Sequence, residues 1–278
     1  MKRFLLFSIL FCVPFLTFGS NKPRLILSTN IPLQGDVVEV ILENSGIKSA
    51  SFKDSSVSFF PYGGNLVALI PISGTEPAQK QTLYITLSDG SLATRSIWIR
   101  ARKFSSISLG IPKGSDLTTD RLISDLSKEK VVIDEIVGKK TNVVYFEDFQ
   151  FPLSKIEGVS SPFGEIRKTG NSIIRHWGVD YVAPRGSSVY AISGGVVAKS
   201  YWDSTYGNTV IIDHGQNVFS LYMHLDERLK QNGESVQKGE KIGILGSTGY
   251  SFGPHLHLSI KINGMSVDPT KFINLLRR

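Results

Sequence analysis

Short runs of β-branched and alternating apolar residues, separated by glycine-containing turns, recur along most of this 278-residue chain. The chain has 26 glycines, and many stand between such runs, as in Tyr62-Gly63-Gly64 and Asp89-Gly90. Runs of this kind predict strands, and the frequent turns favour antiparallel pairing. We therefore expect a mainly β protein. A hydrophobic fraction of 41% and a charged fraction of 20% are ordinary for a globular chain and exclude wholesale disorder.

The first twenty residues are typical of a secretory signal peptide. Lys2 and Arg3 give it a basic start, an apolar stretch follows over 4–16, and small residues precede a cleavage point near Gly19-Ser20. A membrane anchor is the alternative, but the apolar stretch is shorter than the roughly 20 residues that a spanning helix needs. We expect residues 1–20 to direct export to the periplasm or envelope, with secretion or retention by the signal left open.

The only cysteine, Cys12, lies inside this signal, so the mature chain is expected to have no disulfide. Removal of two basic residues and no acid lowers the formal net charge from +7 to +5. A mildly basic exported protein suits an anionic envelope polymer, although a solvated surface without a partner fits the charge equally well. We expect no nucleic-acid partner, and the composition does not indicate an oligomeric state.

Residues 24–103 are expected to form a small immunoglobulin-like β-sandwich. They contain no histidine and no group of convergent acids, so we predict a non-catalytic module. The runs that predict its strands are Val37–Leu42, Leu66–Ile70, Gln81–Leu87 and Ser96–Arg100.

Residues 104–150 are expected to be a linker with a helical segment. Leu122, Leu126, Ile133 and Ile136 recur at roughly helical spacing. Threonines 118–119 and Gly138 stand where the two ends of such a helix would be capped. No chemical motif is present in this segment.

Residues 151–272 are expected to form a second, strand-rich domain. The runs that predict its strands are Ser188–Ile192, Gly195–Ala198, Asn208–Asp213, Val218–Met223, Lys241–Leu245 and His255–Ile260.

All five histidines of the chain fall between positions 176 and 257. Two spacings stand out, the H-x-x-x-D of His176 and Asp180 and the H-x-H of His255 and His257. Residues two apart in a strand point to the same face, so His255 and His257 are expected to share one space. Imidazole and carboxylate suit zinc, and three protein ligands leave a position open for chemistry. Each motif alone is weak evidence, because an H-x-H in a strand is more often an incidental exposed pair.

The combination of motifs is more specific, and it closely resembles the lysostaphin-like (LytM-type) zinc endopeptidases over about residues 150–270. The order and approximate spacing of the motifs are also those of this family. The matching segments are Ser161–Gly164, His176–Tyr181, Tyr206–Gly215, Leu221–Leu225, Val236–Glu240, Gly246–Gly249 and Gly253–His257.

The resemblance implies a duplicated-hybrid-motif-like antiparallel fold, a Zn²⁺ cofactor and a set of site residues. His176, Asp180 and His257 match the three metal ligands, and His255 and His224 match the catalytic residues. One imidazole can take a proton from the attacking water, while the other donates a hydrogen bond to the developing oxyanion. The sequence does not fix which histidine plays which part, and we favour His255 as the base.

Three further positions are assigned around this set. His214 follows a strand and is interpreted as structural. Asn208 and Tyr206 are expected to line the substrate groove.

Glycines near the motifs have conformational roles in this interpretation, and two departures from the family pattern are present. Gly178, Gly249 and Gly253 are expected to permit turns or close backbone approach. Leu258 replaces the aromatic residue that commonly follows H-x-H, which should affect packing only. The segment 165–167 is looser than the usual basic pair, which could alter substrate contacts.

The resemblance implies hydrolysis of peptide cross-links or cross-bridges of bacterial peptidoglycan. Family members with an upstream module often cut the D-alanyl-diaminoacyl cross-link of thin walls, while others cut glycine bridges, so D,D-endopeptidase activity is the favoured expectation. One alternative is a non-catalytic regulator that activates a cell-wall amidase, as in relatives that have lost zinc ligands. Another is a biotinyl or lipoyl carrier, but no modifiable hairpin lysine is evident and the histidines would go unexplained.

Overall fold

The computed structural model describes residues 22–111, 118–139 and 147–277, so the predicted signal peptide lies outside the described residues. Strands far outnumber helices, and the prediction of a mainly β protein with antiparallel sheets is confirmed. None of the helices formed by the described residues has the length and apolar character needed to cross a membrane.

The N-terminal strands form two four-stranded sheets, with orders β1-β2-β6-β5 and β4-β3-β7-β8. Alternate side chains of both sheets, among them Val38, Ile70, Leu83 and Ile97, meet in one buried core, as expected for a sandwich. The strands are β1 (Arg24–Leu27), β2 (Val37–Glu43), β3 (Ile47–Phe52), β4 (Ser55–Ser56), β5 (Phe60–Tyr62), β6 (Asn65–Pro71), β7 (Lys80–Leu87) and β8 (Leu92–Trp98).

The predicted linker contains a strand and a helix, namely β9 (Ser106–Ser108) and α1 (Thr119–Val137). The helix begins where the sequence predicts, because Thr118 caps it by accepting a hydrogen bond from the backbone N–H of Arg121. Gly138 is the residue at its C-terminal cap. The strand β9 was not predicted.

The C-terminal part is built on one large antiparallel sheet, with main order β10-β13-β20-β17-β16-β15-β18. A separate three-stranded sheet has the order β12-β11-β9 and thus includes the strand of the linker. The strands are β10 (Gly158–Ser161), β11 (Ile166–Thr169), β12 (Ser172–Arg175), β13 (Val179–Val182), β14 (Ser188–Tyr190), β15 (Gly195–Asp203), β16 (Gly207–Asp213), β17 (Val218–Arg228), β18 (Ser235–Val236), β19 (Lys241–Leu245), β20 (Leu256–Ile262) and β21 (Met265–Val267), followed by helix α2 (Pro269–Leu276).

The central strand β17 is buried on both faces because two different layers cover it. Val218 and Tyr222 point into the main core, whereas Phe219 and Leu221 point to the opposite face. On that opposite face they pack against Ile133 and Val137 of α1. Met223 lies on this same face and is the direct register partner of His257. The helix therefore covers one end of the sheet face that also carries His257.

The sandwich and the large sheet share a hydrophobic core. Val37 and Leu69, on the outer face of the first sandwich sheet, belong to the same buried cluster as Phe163 of the C-terminal part. Beside this contact, Arg102 donates to Asp268 Oδ2 over 2.7 Å. The two parts are therefore joined by packing as well as by the linker.

Helix α2 was not predicted, and it completes the core of the C-terminal part. Asp268 caps its N-terminus, while Phe272, Ile273 and Leu276 are buried. The predicted domain end at residue 272 falls inside this helix.

Candidate metal centre and active site

Three of the predicted site residues converge at the neighbouring strands β13 and β20 of the large sheet. Asp180 on β13 lies directly opposite His257 on β20 in the strand register, and His176 stands just before β13. Asp180 Oδ1 is 2.8 Å from His257 Nδ1 and 3.0 Å from His176 Nε2, and the two ring nitrogens are 2.8 Å apart. All three side chains are at least nine-tenths buried.

Gly178 permits this convergence by leaving space for the ring of His257. A Cβ at this position would lie 2.5 Å from His257 Nε2 and 2.7 Å from the carbonyl oxygen of Leu258. Any other residue would push the approach to β13 away from β20. The predicted role of Gly178 in close backbone approach is confirmed by this geometry.

Hydrogen bonds outside the cluster fix the protonated nitrogen of His176. Its Nδ1 lies 3.1 Å from the carbonyl oxygen of Pro162, which can only accept, so Nδ1 carries the proton. The Nε2 atom then presents a lone pair to Asp180 and His257.

The same reasoning applies to His257. Its Nε2 lies 2.9 Å from Ser259 Oγ, and that hydroxyl donates its own proton to the carbonyl oxygen of Trp177 over 3.0 Å. His257 Nε2 must therefore be the donor, which leaves a lone pair on Nδ1.

Two imidazole lone pairs and a carboxylate oxygen thus face one another without a proton of their own, which is an arrangement that a cation satisfies. The carboxylate oxygen and the two ring nitrogens lie within 3.0 Å of one another, so a single cation can contact all three. The donor types also match those of zinc sites with three protein ligands and one open position. The donor set therefore fits the predicted zinc cofactor.

The surroundings of the cluster favour the protonation states that metal binding requires. Burial lowers the pKa of His257 to about 4, so the ring is neutral near pH 7. Arg167 Nη2 donates to Asp180 Oδ2 over 2.8 Å, and a guanidinium at this distance favours the charged form of the carboxyl group. The carboxyl group is therefore ionised.

His255 stands at the edge of the cluster, immediately before β20. Its Nδ1 donates to the carbonyl oxygen of Gly253 over 2.9 Å, so Nε2 is the free, basic nitrogen. Nε2 lies 3.7 Å from Asp180 Oδ1. The structure thus aims the unprotonated side of His255 at the cluster.

His224 reaches the site through an irregularity in β17. The register with β16 shifts between Asn208 and Val210, and His224 has a left-handed φ of +61°. A bulge of this kind turns a side chain away from its regular direction. The ring of His224 comes to lie 4.7 Å from that of His255, centroid to centroid.

The environment makes His224 a weak proton acceptor. Burial, followed by the charges of His255 and His257, lowers its pKa to about 3. Its Nδ1 lies 2.8 Å from the carbonyl oxygen of Thr248 and therefore carries the proton.

Two cavities meet at His224. One, of about 330 Å³, is lined by Asp180, His255 and the apolar side chains Ile107 and Phe252. The other, of about 400 Å³, runs beneath α1 and is lined by residues that include His176, His257 and Tyr206. Leu109 and Tyr250 line both. The side chains of the cluster are thus reachable from a cleft with apolar walls.

The two predicted groove residues differ in position. Tyr206 lines the second cavity, with its ring centroid 6.3 Å from that of His257. Asn208 lines neither cavity: its amide donates to the carbonyl oxygens of Leu225 and Asp226. Its contacts therefore tie the neighbouring strands together beside the site.

His214, which was interpreted as structural, lies away from the cluster in the main core. It is fully buried, and its two ring nitrogens bond Gly194 O and Ser220 Oγ, each over 2.7 Å. Burial lowers its pKa to about 4, so it is neutral at pH 7.

Sequence reasoning missed several residues around the cluster. Ile107 and Leu109 belong to the predicted linker, and no pattern in the sequence links them to the histidines. Arg167 was noted only as a departure, yet its guanidinium contacts Asp180 directly. The sequence offered one signal for Arg167, which is its position shortly after the Ser-Pro-Phe-Gly segment.

Comparison with known proteins agrees with this geometry. Residues 174–269 match the family model described as Peptidase family M23. The chain is 42% identical over 113 residues to Peptidoglycan DD-endopeptidase ShyC of Vibrio cholerae. This alignment covers 40% of this chain and 26% of that protein. The chain is 43% identical over 112 residues to DD-carboxypeptidase/endopeptidase Mpg of Neisseria meningitidis, with the same two coverages.

A solved structure extends the likeness in fold beyond the matched segment. A Pseudomonas aeruginosa protein assigned to peptidase M23 has a TM-score of 0.65 over 87% of this chain and 94% of its own, at 23% identity. The two sequence relatives, in contrast, are each matched over about a quarter of their length. The family match and the donor set together bear out the predicted zinc cofactor and the predicted class, a metallopeptidase. Residues 174–269 of this chain are accordingly a domain of peptidase family M23, which confirms the resemblance to the LytM-type enzymes.

Proposed function

We propose that this protein is a zinc-dependent endopeptidase that hydrolyses peptide cross-links of bacterial peptidoglycan, with D,D-endopeptidase specificity. The observation that carries the proposal is the convergence of three lone-pair donors beside two further histidines. In this proposal His176, Asp180 and His257 hold the metal, and His255 and His224 act on the substrate.

Zinc bound there would supply Lewis-acid polarisation of the peptide carbonyl and lower the pKa of water. His255 then takes the proton of the attacking water on Nε2, which already points toward the cluster. His224 is the poorer base because burial depresses its pKa. Its part in this proposal is at the oxyanion, to which Nε2 can donate only when the ring carries a second proton beside the one held by the Thr248 carbonyl oxygen. The reverse assignment stays open to the kinetic test given below.

The substrate class rests on the relatives and on the charge of the chain. Both sequence relatives carry DD-endopeptidase or endopeptidase in their names, and the first is described as acting on peptidoglycan. Loss of residues 1–20 would leave a net charge of +5, which is compatible with an anionic wall polymer. We extend this to export and to contact with stem peptides or cross-bridges in the envelope.

A regulator that activates a cell-wall amidase is the competing function. That function is expected where ligands of the metal have been lost. In this chain all three donors and both neighbouring histidines are present and converge, which favours catalysis.

The test is digestion of purified sacculi by the full chain, followed by mass spectrometry of the released peptides. New amine termini at D-alanyl-diaminoacyl cross-links that disappear with chelator are the expected result. An Asp180→Ala variant should release nothing, while Asp89→Ala, at an exposed turn of the sandwich, should match the wild type. Absence of any chelator-sensitive product from several wall types would overturn the proposal and favour the regulator.

A further inference from the structure

Arg167 makes a contact that the proposed chemistry does not yet use. It lies on β11, outside the segment that matches family M23. Its Nη2 donates to Asp180 Oδ2 over 2.8 Å, while Oδ1 of the same carboxylate faces the two imidazoles. The two oxygens of Asp180 thus have different partners.

The same nitrogen of Arg167 also reaches the surroundings of His176. Nη2 donates to Ser161 Oγ over 2.8 Å, and that oxygen lies 3.2 Å from His176 Nδ1. The Ser161 hydroxyl donates a hydrogen bond to the buried carboxylate of Glu165. Ser161 Oγ can therefore accept from both Arg167 and His176, which connects two of the three donors of the cluster.

The charge of this arrangement is balanced. A lone guanidinium next to a metal site would repel the cation. The Arg167 guanidinium, however, lies between two carboxylates, with Nε 3.7 Å from Glu165 Oε2. Glu165 has only 4% of its surface exposed, and Ser105 Oγ donates to its second oxygen over 3.1 Å. The Arg167–Glu165 pair can therefore orient Asp180 without adding net positive charge.

We propose that Arg167 is a positioning residue for the metal centre. It holds Asp180 so that one oxygen, Oδ1, faces the cation, and through Ser161 it restrains His176. Partners of this kind fix the orientation of metal ligands and thereby raise affinity. The inference rests on the proposed function only in requiring that the three-residue cluster binds zinc.

A planar guanidinium suits this role better than an ammonium group. Arg167 Nη2 donates to both Asp180 and Ser161, while Nε forms a longer ion-pair contact of 3.7 Å with Glu165 Oε2. Lysine would supply a point charge without the planar geometry of a guanidinium. Arg167→Lys should therefore recover only part of what Arg167→Gln loses.

The experiment is zinc binding to the full chain, measured by competition with a chromogenic chelator. Arg167→Gln is expected to weaken zinc binding by about 10- to 100-fold, the range found for outer partners of metal ligands. Lys168→Gln is the matched control, because Lys168 is the next residue of β11, is exposed and points to the opposite face. It removes the same charge and should keep the affinity within about twofold.

Thermal unfolding separates positioning from a merely structural role. A structural role predicts that Arg167→Gln lowers the melting temperature of the metal-free protein and leaves the increase on adding zinc unchanged. Positioning predicts that this zinc-induced increase shrinks, because stabilisation by a ligand follows its affinity.

The outcomes distinguish the two proposals. If the wild type binds no zinc, the proposed function fails and the role of Arg167 fails with it. If the wild type binds zinc and Arg167→Gln binds it equally well, the role of Arg167 alone is overturned. Should Arg167→Gln not fold, Arg167→Lys decides: wild-type affinity overturns the proposal, and clearly weaker binding supports it.

Discussion

Asp180 and His257 face each other as direct partners in the register of β13 and β20, with Asp180 Oδ1 2.8 Å from His257 Nδ1. They are 77 residues apart in the chain. The pairing of the two strands therefore determines their separation, and a shift of one residue in register would turn one of the side chains to the other face. The candidate metal centre depends on the sheet as much as on the ligands.

His257→Ala should lose zinc and, with it, peptidase activity. The change removes one of three converging donors, and two donors hold zinc far less tightly. Elemental analysis of the purified protein should find much less than one zinc per chain, and sacculus digestion should show no product. A normal zinc content in this variant would refute the ligand assignment.

Gly178→Ala should disturb the centre without replacing any of its three donor residues. Its new methyl group would lie 2.5 Å from His257 Nε2, and the carbonyl of Leu258 leaves it no alternative space. Overpacking of this kind costs about 1–3 kcal/mol, measurable as the free energy of unfolding in urea. Gly253→Ala is the control, because a Cβ there meets no atom within 4 Å. Equal stability and zinc content of the two variants would contradict the expectation.

His255→Ala should keep zinc and lose turnover. Its ring contributes no atom to the three-donor cluster, but its free Nε2 is placed to accept a proton. Loss of a general base typically costs about 10²- to 10⁴-fold in rate. Zinc analysis and kinetics on a soluble cross-linked peptide measure the two effects separately. Turnover at the wild-type rate would remove His255 from the chemistry, and a larger loss in His224→Ala would favour the reverse assignment.

The stability of the fold should fall as the pH drops from about 6.5 toward 4, in part because of His214. Its folded pKa of about 4 lies below the ordinary value of 6.5, so within this window the unfolded chain binds the additional proton. The full contribution, about 3 kcal/mol, is present above pH 6.5 and is lost below pH 4.

Urea unfolding of wild type and His214→Gln, with chelator present, tests this. The glutamine variant should be less stable at pH 7 but should show a shallower decline toward pH 4. An identical pH dependence in both proteins would show that His214 does not contribute.

Local patterns predicted the features that depend on neighbouring residues. The spacing of Leu122, Leu126, Ile133 and Ile136 predicted α1, and alternating runs predicted most of the long strands. The shared face of two histidines also follows from strand periodicity, although His255 lies just before β20 rather than within it. These features depend on residues that lie close to one another in the sequence.

Features that depend on distant pairing were not predicted. Strand β9 is three residues long and exists because it pairs in parallel with β11. The contact of Arg167 with Asp180 and the entry of Leu109 into the cleft likewise require the folded sheets. Asn208 was expected in the groove from its place in a motif, but its amide bonds two carbonyl groups of the adjacent strand.

The walls of the cleft have a consequence for how such a protein can diversify. Ile107 and Leu109 contact the cavities from upstream of the M23 segment, as Arg167 does. A fragment limited to 174–269 would carry all five histidines and yet lack one side of the cleft. Exchange of the upstream segment by recombination is thus expected to alter the shape of the cleft, while His176, Asp180 and His257 are inherited unchanged.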